Sequence, residues 1–496
     1  MKKMIRLLCI ICMTAIPLFA GDADFSSFDA GAVPDEEDAK ASVLTINGTA
    51  EDALRFYVDD HEDSVVRNDP AMTLSLGYSL EKADFDAKMK LSQTILQDYP
   101  EDVLQEMTIR GYLGDFVVEG GKMKLVWGKG DKLHVLDNFN ADDYTDFIIP
   151  DYLDRRIAVP MVHVAYNGLD SMRFEAVYVP YLVPDRYATS GKWTPGSYTS
   201  IKNTVSNAAS QQAVTVYSNA YTQYYTQFLT AGMSATAAAV AAQGAAGATQ
   251  TQYLSTVQSQ SGLYANAKTL RYGQFGFRAT GTVGSFDWGA SYYYGHMKQP
   301  SLNQTRLTAW IANPSADADP ALDYDRLQVF GLEGATAIDR FNFRAEAAYN
   351  LTDDPDGTDA YVHNNSIGWV FGVDFDVIGN FNVNVQTQGK YLLHKDDIKS
   401  NGTADVDYSN ADHYSNDKLV LSLTDSFLHE NLKAECDMVY GIELGDIALM
   451  PKLTYTITDG LDASLSGMYI WTKDDDSEFR AFKDNSFVQA KLVYSF

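Results

Sequence analysis

The chain has 496 residues, of which 46% are hydrophobic, 12% aromatic and 21% charged. This content of apolar and aromatic side chains excludes a disordered chain. Acidic residues number 66 and basic residues 38, so the formal charge is −28, which excludes nucleic acid as a partner because the sign is wrong for binding phosphates.

The first twenty residues have the pattern of a secretory signal peptide. Three basic residues open the chain, an apolar run covers 7–19, and Ala20 is a small residue at a plausible cleavage point. An uncleaved anchor helix is the alternative, but the run is shorter than the ~20 residues that a spanning helix needs. We therefore expect an exported protein with a signal peptide at 1–20 and an acidic periplasmic segment at 21–50.

After the signal, Cys436 is the only cysteine, so no intrachain disulfide is expected. No later segment has eighteen uninterrupted apolar residues. An exported chain of this kind is either soluble or crosses a membrane as a closed β-barrel, the other structure that satisfies its backbone in lipid.

Apolar and polar residues alternate through much of the chain in long segments. Phe341, Phe343, Ala345 and Ala347, for example, are separated by Asn342, Arg344 and Glu346. A soluble β-sandwich also alternates in this way, but its strands have ~5–6 residues, whereas these segments fit the ~9–11 residues that a bilayer requires. The clearest segments are 341–351, 366–377 and 432–443.

Short and long connections take turns between these segments, as in outer-membrane barrels. The exception is a short link at 444–445, which we expect to be a short outer loop. Extending this parity toward the N-terminus predicts strands at 53–57, 72–80, 85–95, 104–117, 123–127, 157–166, 172–181, 275–283, 286–296 and 327–332, before eight more from Phe341.

The predicted fold is therefore an all-β, transmembrane, antiparallel up-and-down barrel over 51–496. It has eighteen strands, or sixteen if the first and fifth fail, and both termini lie in the periplasm. A barrel of this size encloses an aqueous interior.

The last residues resemble the terminal β-signal of bacterial outer-membrane proteins, a final aromatic with apolar residues at alternate positions before it. The resemblance implies insertion by the barrel-assembly machinery into outer-membrane lipid. The residues that carry it are Val488, Ala490, Leu492, Tyr494 and Phe496.

The polar face of the predicted strands gives a lumen of mixed charge, while the excess acid falls in loops. Opposed luminal charges would create a transverse field that sorts solutes by charge. Alternatively, they pair across neighbouring strands and only keep the channel wet. The predicted pore-lining residues are Lys88, Lys90, Arg173, Glu175, Arg278, Arg344, Glu346, Asp374, Asp376, Lys390, Lys433, Glu435, Asp437, Lys452 and Lys491.

A long insert at 185–272 has no charged residue and no histidine between 203 and 267. Part of it has aromatic residues at helical spacing, and an Ala-rich stretch follows. We expect helices that lie in or across the pore mouth and restrict flow, with a flexible surface loop as the alternative. The predicted constriction helix carries Val214, Tyr217, Tyr221, Tyr224 and Phe228.

Residues 127–147 resemble a block found in large outer-membrane barrels related to the alginate-export porins, in which a strand ending in Trp-Gly leads to Asn-Pro-x-Asp. Here Trp127-Gly128 precedes Asn140-Ala141-Asp142-Asp143, with Ala141 in place of the proline. The resemblance implies a monomeric pore of roughly eighteen strands and names no substrate. As structure alone, the same residues could be an acidic loop after a strand.

No catalytic triad motif, zinc motif or phosphate-binding loop occurs in the sequence. The Asp-rich stretches at 354–359 and 474–476 are read as solvated loop tips rather than calcium sites. We therefore expect no cofactor, metal or enzymatic activity. The predicted function is an outer-membrane porin or selective channel for small hydrophilic solutes, and the alternative is an adhesin that displays acidic loops on a barrel.

Overall fold

The computed structural model describes residues 43–58, 67–146, 152–408, 414–473, 475 and 477–496. The predicted signal peptide and most of the acidic segment lie outside the described residues. The described residues form one closed barrel of eighteen antiparallel strands, as the alternating pattern predicts.

Each barrel strand pairs with its neighbours in the chain. The ring closes where β1 pairs with β18 from Thr49↔Ser495 to Tyr57↔Phe487. The strands are β1 Val43–Tyr57, β2 Ala71–Ser79, β3 Ala83–Ser92, β4 Leu104–Leu113, β5 Phe116–Met123, β6 Val159–Leu169, β7 Met172–Val179, β8 Gln274–Val283, β9 Phe286–His296, β10 Arg326–Ile338, β11 Phe341–Thr352, β12 Ser366–Ile378, β13 Phe381–Leu392, β14 Ser415–Phe427, β15 Leu432–Gly441, β16 Ile447–Thr458, β17 Leu461–Trp471 and β18 Phe487–Ser495.

Two strand predictions are wrong in position although the total is right. The predicted strand at 104–117 is a hairpin, because Gly114, at φ +62°, and Asp115 turn the chain between β4 and β5. The predicted strand at 123–127 begins where β5 ends, and the chain there leaves the sheet. β1 also starts at Val43, ten residues before the predicted strand.

The strands alternate between an outward apolar face and an inward polar face. In β11, Ala345 and Ala347 are exposed on the outside while Glu346 is buried on the inside. Large apolar side chains are exposed around the outer wall, among them Leu332 and Leu465. A closed barrel with this outer face is suited to contact with lipid.

All connections at one end of the barrel, here called the turn end, are short. They lie at 80–82, 114–115, 170–171, 284–285, 339–340, 379–380, 428–431 and 459–460. At the other end, the loop end, the connections are longer except for residues 442–446, where the sequence predicts a short loop. β1 begins and β18 ends at the turn end.

The helices lie in the connections of the loop end. They are α1 Gln93–Asp98, α2 Tyr152–Arg155, α3 Gly196–Thr230, α4 Ala235–Ser259, α5 Gln304–Ala312 and α6 Lys395–Asn401. The two long ones, α3 and α4, form a helical hairpin within the predicted insert. Among the described residues, no helix is long and apolar enough to cross a membrane.

Short strands and 3₁₀ turns complete the loop end. Ala141–Tyr144 pairs with Arg156–Ile157 and with Arg186–Tyr187, and Ser301–Leu302 pairs with Leu322–Asp323. The remaining short elements are the strand Arg67–Asn68 and the 3₁₀ turns Pro100–Asp102, Leu270–Tyr272, Gly402–Ala404 and Glu478–Phe482.

Candidate functional site

Residues 124–146, between β5 and β6, fold into the lumen and are called the inner loop here. Its tip reaches across to strands far along the barrel. Lys132 Nζ lies 2.8 Å from Asp437 Oδ1 on β15, and the Lys132 backbone N–H donates to Gln386 Oε1 on β13 at 3.4 Å. The inner loop therefore lies against the inside of the wall from β8 to β15.

Glu346 on β11 is the main anchor of the inner loop. Its side chain is fully buried, and its carboxylate accepts the Gly130 N–H at 2.6 Å and the Val135 N–H at 2.8 Å. His134 Nδ1 lies 2.8 Å from the same carboxylate. The structure places Glu346, one of the predicted pore-lining residues, beneath the inner loop rather than facing free solvent.

Glycine is required where the inner loop crosses Glu346. Gly128 has φ +117°, and a Cβ there would lie 2.2 Å from Glu346 Oε1. A Cβ on Gly130 would lie 2.1 Å from the Leu133 carbonyl oxygen. The Trp127-Gly128 pair noted in the sequence is thus a close backbone approach to a buried carboxylate.

An apolar wedge fixes the base of the inner loop to the wall. Trp127 and Phe139 pack edge to face at 4.9 Å, and Phe139 packs on Tyr293 of β9 at 5.2 Å. Leu136 is buried in the same cluster. Gly276 of β8 makes room for the rings, because a Cβ there would lie 2.7 Å from Phe139.

The acidic block in the second half of the inner loop is neutralised by arginines from elsewhere in the chain, and it is not a free acidic loop. The ion pairs are Asp137 with Arg156 at 2.7 Å, Asp142 with Arg155 at 3.5 Å, Asp143 with Arg186 at 3.1 Å, and Asp146 with Arg55 at 2.8 Å. These contacts hold the return limb of the inner loop at the loop end of the barrel.

Lys298, which follows β9, connects the second half of the inner loop to the wall. Its Nζ donates to the Phe139 carbonyl at 3.1 Å and to Gln274 Oε1 at 2.7 Å. Burial lowers the pKa of Lys298 to about 7. Asp185 accepts the Asp142 N–H at 2.9 Å, and burial raises the pKa of its carboxyl to about 6.

Most of the predicted pore-lining charges are paired with neighbours on the wall. Two glutamates are each held by two lysines: Glu435 contacts Lys433 and Lys452, and Glu51 contacts Lys90 and Lys491. The other pairs are Arg344 with Asp374, Arg173 with Glu175, and Arg278 with Glu175 and Glu333. Asp376 accepts from Asn382, Lys390 is near Asp407, and Lys88 is exposed.

Sequence reasoning missed one luminal network at the turn-end half of β4 to β7. His163 Nδ1 lies 2.7 Å from Glu119, its Nε2 lies 3.1 Å from Glu175, and Glu119 also pairs with Arg110. Correct placement of the turn at Gly114 would have put Glu119 on the inward face of β5.

Among the described residues, the apolar cluster that holds the helical hairpin contains side chains of loop-end connections and none of the barrel strands. The base of the hairpin packs on the connection between β9 and β10, with Trp310 and Leu307 of α5 against α3 and α4. The predicted aromatic stripe is on a helix, but its rings stack on one another: Tyr217 on Tyr221 at 6.4 Å, and Tyr224 on Phe228 at 6.1 Å. Val214 is 65% exposed. Among the described side chains, no Arg or Lys lies over these rings.

The Asp-rich tip at 354–359 closes on itself. Asp354 is buried, and its Oδ2 accepts the Asp359 N–H at 2.7 Å. Within the described residues, no group of three acidic, His or Cys side chains has a geometry that could hold a metal ion. The other predicted tip includes residues outside the described ones.

The C-terminal residues form β18, with Val488 and Leu492 exposed on the outer wall. Tyr494 and Phe496 stack at 6.2 Å. The Phe496 ring lies over Gly48 of β1, where a Cβ would come within 2.3 Å of it. The last residues therefore pack where the first and last strands of the barrel meet, at the turn end.

Neither a protein-family model nor a curated protein sequence matches the chain. Among solved structures, it is similar to Pseudomonas aeruginosa OccK11 (OpdR), with 9% identity, a TM-score of 0.44, and coverage of 91% of this chain and 96% of that one. A mutant of the Rh. blastica porin has 11% identity, a TM-score of 0.38, and coverage of 92% and 100%.

Salmonella typhi OmpF in complex with daunomycin has 6% identity, a TM-score of 0.37, and coverage of 92% and 100%. Likeness at this level defines neither a family nor an activity.

Proposed function

We propose that the chain is an outer-membrane porin through which small hydrophilic solutes diffuse passively. The observation that carries the proposal is a closed barrel, apolar outside and charged inside, whose lumen is narrowed by an inner loop bonded to Glu346 and Asp437. Lipid would contact the outer wall. Solutes would pass between the inner loop and the part of the inside wall that the inner loop does not cover.

Two sequence patterns support the proposed export and membrane insertion. The signal-peptide pattern supports export, and the terminal strand resembles the signal read by the barrel-assembly machinery. With both ends of the barrel chain at the turn end, the termini would lie in the periplasm and the long loops outside.

The uncovered wall supports passage of hydrophilic solutes of either charge. One lysine–glutamate–lysine group lies on β18, β1 and β3, and the other lies on β15 and β16 at the edge of the inner loop. Hydroxyls lie between the two groups: Ser464 is in register with Lys491, and Ser466 is in register with Lys452. Because these charges are paired, strong selection for one sign is not expected from the wall alone.

Planar-bilayer recording tests the proposal. The purified protein should give stepwise conductance, and replacing residues 128–135 with a short Gly/Ser link should raise the size of each step because the tip of the inner loop is gone. A control with two added Gly in the turn at 459–460 should conduct like the unmodified chain. A folded barrel that never conducts, with or without its inner loop, would contradict the proposal and favour a display role.

A further inference from the structure

The helical hairpin has an anchored base and an unsupported distal half. Anchoring involves residues of α3 up to Val216 and residues of α4 from Tyr253 onward, which pack on Leu307, Trp310 and Ile311. Tyr253 also donates its hydroxyl to the Ile311 carbonyl at 2.8 Å. Beyond Val216, α3 continues to Thr230, which is about 20 Å at the usual rise of a helix.

The distal half keeps small side chains inside and large ones outside. The residues buried between its helices are all alanines, namely Ala220, Ala238, Ala242 and Ala246. The large side chains lie half-exposed along one flank of α3. Tyr217, Tyr221 and Tyr225 form one stack, and Phe228 stacks on Tyr224. An aromatic side chain buries about 150–250 Å² when covered, so a further layer would stabilise the hairpin far more than its alanine seam does.

The distribution of charge indicates which surface of the chain could contact a second copy. The chain carries 104 charged residues, 38 basic and 66 acidic, yet residues 203–267 contain none. Two copies with a formal charge of −28 each repel through most of their surfaces, and the hairpin is a long stretch on which that local repulsion is absent.

We propose that the aromatic flank of α3, defined as Val214, Tyr217, Tyr221, Tyr225 and Phe228, is the contact between two copies of this chain. The inference rests on the proposed membrane location. Copies in one membrane have parallel axes, so their hairpins stand at the same height, and a two-fold axis normal to the membrane brings like flank onto like flank. The result is a bundle of four helices with the rings in its centre.

The test compares charged variants on two faces of the same helix. Tyr221→Glu with Tyr225→Glu places two carboxylates in the flank. Asn219→Glu with Thr226→Glu places them on the exposed opposite face and serves as the matched control. The full-length protein is purified in detergent, its mass is measured by native mass spectrometry, and the same preparations are recorded in bilayers.

In membranes, Val214→Cys in a Cys436→Ser background should form a disulfide-linked dimer on oxidation, and Asn219→Cys should not. We expect two-chain particles for the unmodified chain and the control, and single chains for the flank variant. Single chains throughout, with no crosslink for Val214→Cys, would overturn the proposal, as would dimers that survive the flank substitutions. If the unmodified chain is itself a single chain and still conducts, the porin assignment stands while the contact does not.

Discussion

At the scale of single residues, Glu346 shows how a luminal carboxylate can hold the shape of a channel. It accepts two backbone N–H groups of the inner loop, at Gly130 and Val135, inside the barrel. A buried N–H group that loses its acceptor costs about 1–3 kcal/mol. Glu346→Ala should therefore loosen the inner loop while leaving the barrel folded.

The measurement is single-channel recording, which should show larger and less steady current steps for Glu346→Ala. Glu435→Ala is the control, because Glu435 is a luminal glutamate that contacts lysines of the wall instead of the inner loop. Identical steady currents from Glu346→Ala and the unmodified chain would show that Glu346 is not the anchor.

Lys298 gives a prediction about pH. Its folded-state pKa is about 7 because of burial, below the ordinary value of 10.5, so protonation opposes the folded state. Stability from this group is present above pH 10.5 and is lost as the pH falls toward 7, by at most about 1.4 kcal/mol per pH unit. Lys298→Met removes this dependence.

The check is thermal unfolding between pH 7 and pH 10. The melting temperature of Lys298→Met minus that of the unmodified chain should be most positive near pH 7 and shrink toward pH 10. Lys202→Met, at an exposed position on α3, is the control and should give a difference that does not vary with pH. If both variants give the same profile, Lys298 is not held at a lowered pKa.

Residues that alternate along one strand could be predicted, but partners distant in sequence could not. Parity places Lys433, Glu435 and Lys452 on one face. Nothing local indicates that the aspartates of the inner loop pair with Arg55 and Arg186, because those contacts exist only after the loop folds inward. The block at 127–147 is a recognisable motif in the sequence, whereas its place in the lumen depends on these contacts between distant residues.

At the scale of elements, the turn at 114–115 explains the misplaced strands. Residues on both sides of the turn are apolar, so the sequence pattern predicts one long strand where the structure has a hairpin. The additional strand predicted at 123–127 keeps the total at eighteen. Parity of the later strands was unaffected because one strand was lost and one gained.

Helical spacing likewise predicted α3, but spacing carries no information about which surface the helix packs on.

The hairpin offers a prediction at this scale. Gln250 Nε2 lies 3.1 Å from the Ala213 carbonyl oxygen, and the anchored part of α3 extends to Val216. Residues 217–246 lie beyond these contacts, so they can be replaced by a short Gly/Ser bridge that leaves the anchored base in place. Because the distal half packs on itself and not on luminal side chains, single-channel conductance should be unchanged. An increase in conductance would contradict this prediction and would support the sequence-based expectation that the hairpin restricts flow through the pore.

For the whole molecule, charge is distributed unevenly between the lumen and the loop end. The luminal charges are largely paired, whereas exposed carboxylates occupy two neighbouring loops, at Asp353, Asp356, Asp359, Asp396 and Asp397. A solute approaching from the loop end therefore meets a negative field before it meets a nearly balanced channel.

This arrangement predicts weak cation selectivity that depends on salt. Screening lengths are about 30 Å at 0.01 M and about 3 Å at 1 M salt, so the loop carboxylates act on the channel entrance only in dilute solution. Reversal potentials in KCl gradients should show K⁺ preferred at 10–50 mM and little preference near 1 M.

Replacing the five aspartates with asparagine should remove most of the low-salt preference, whereas neutralising Lys433, Glu435 and Lys452 together should alter it less, since that group carries only one net charge. Selectivity that is independent of salt, or unchanged by the five substitutions, would place its origin inside the lumen instead.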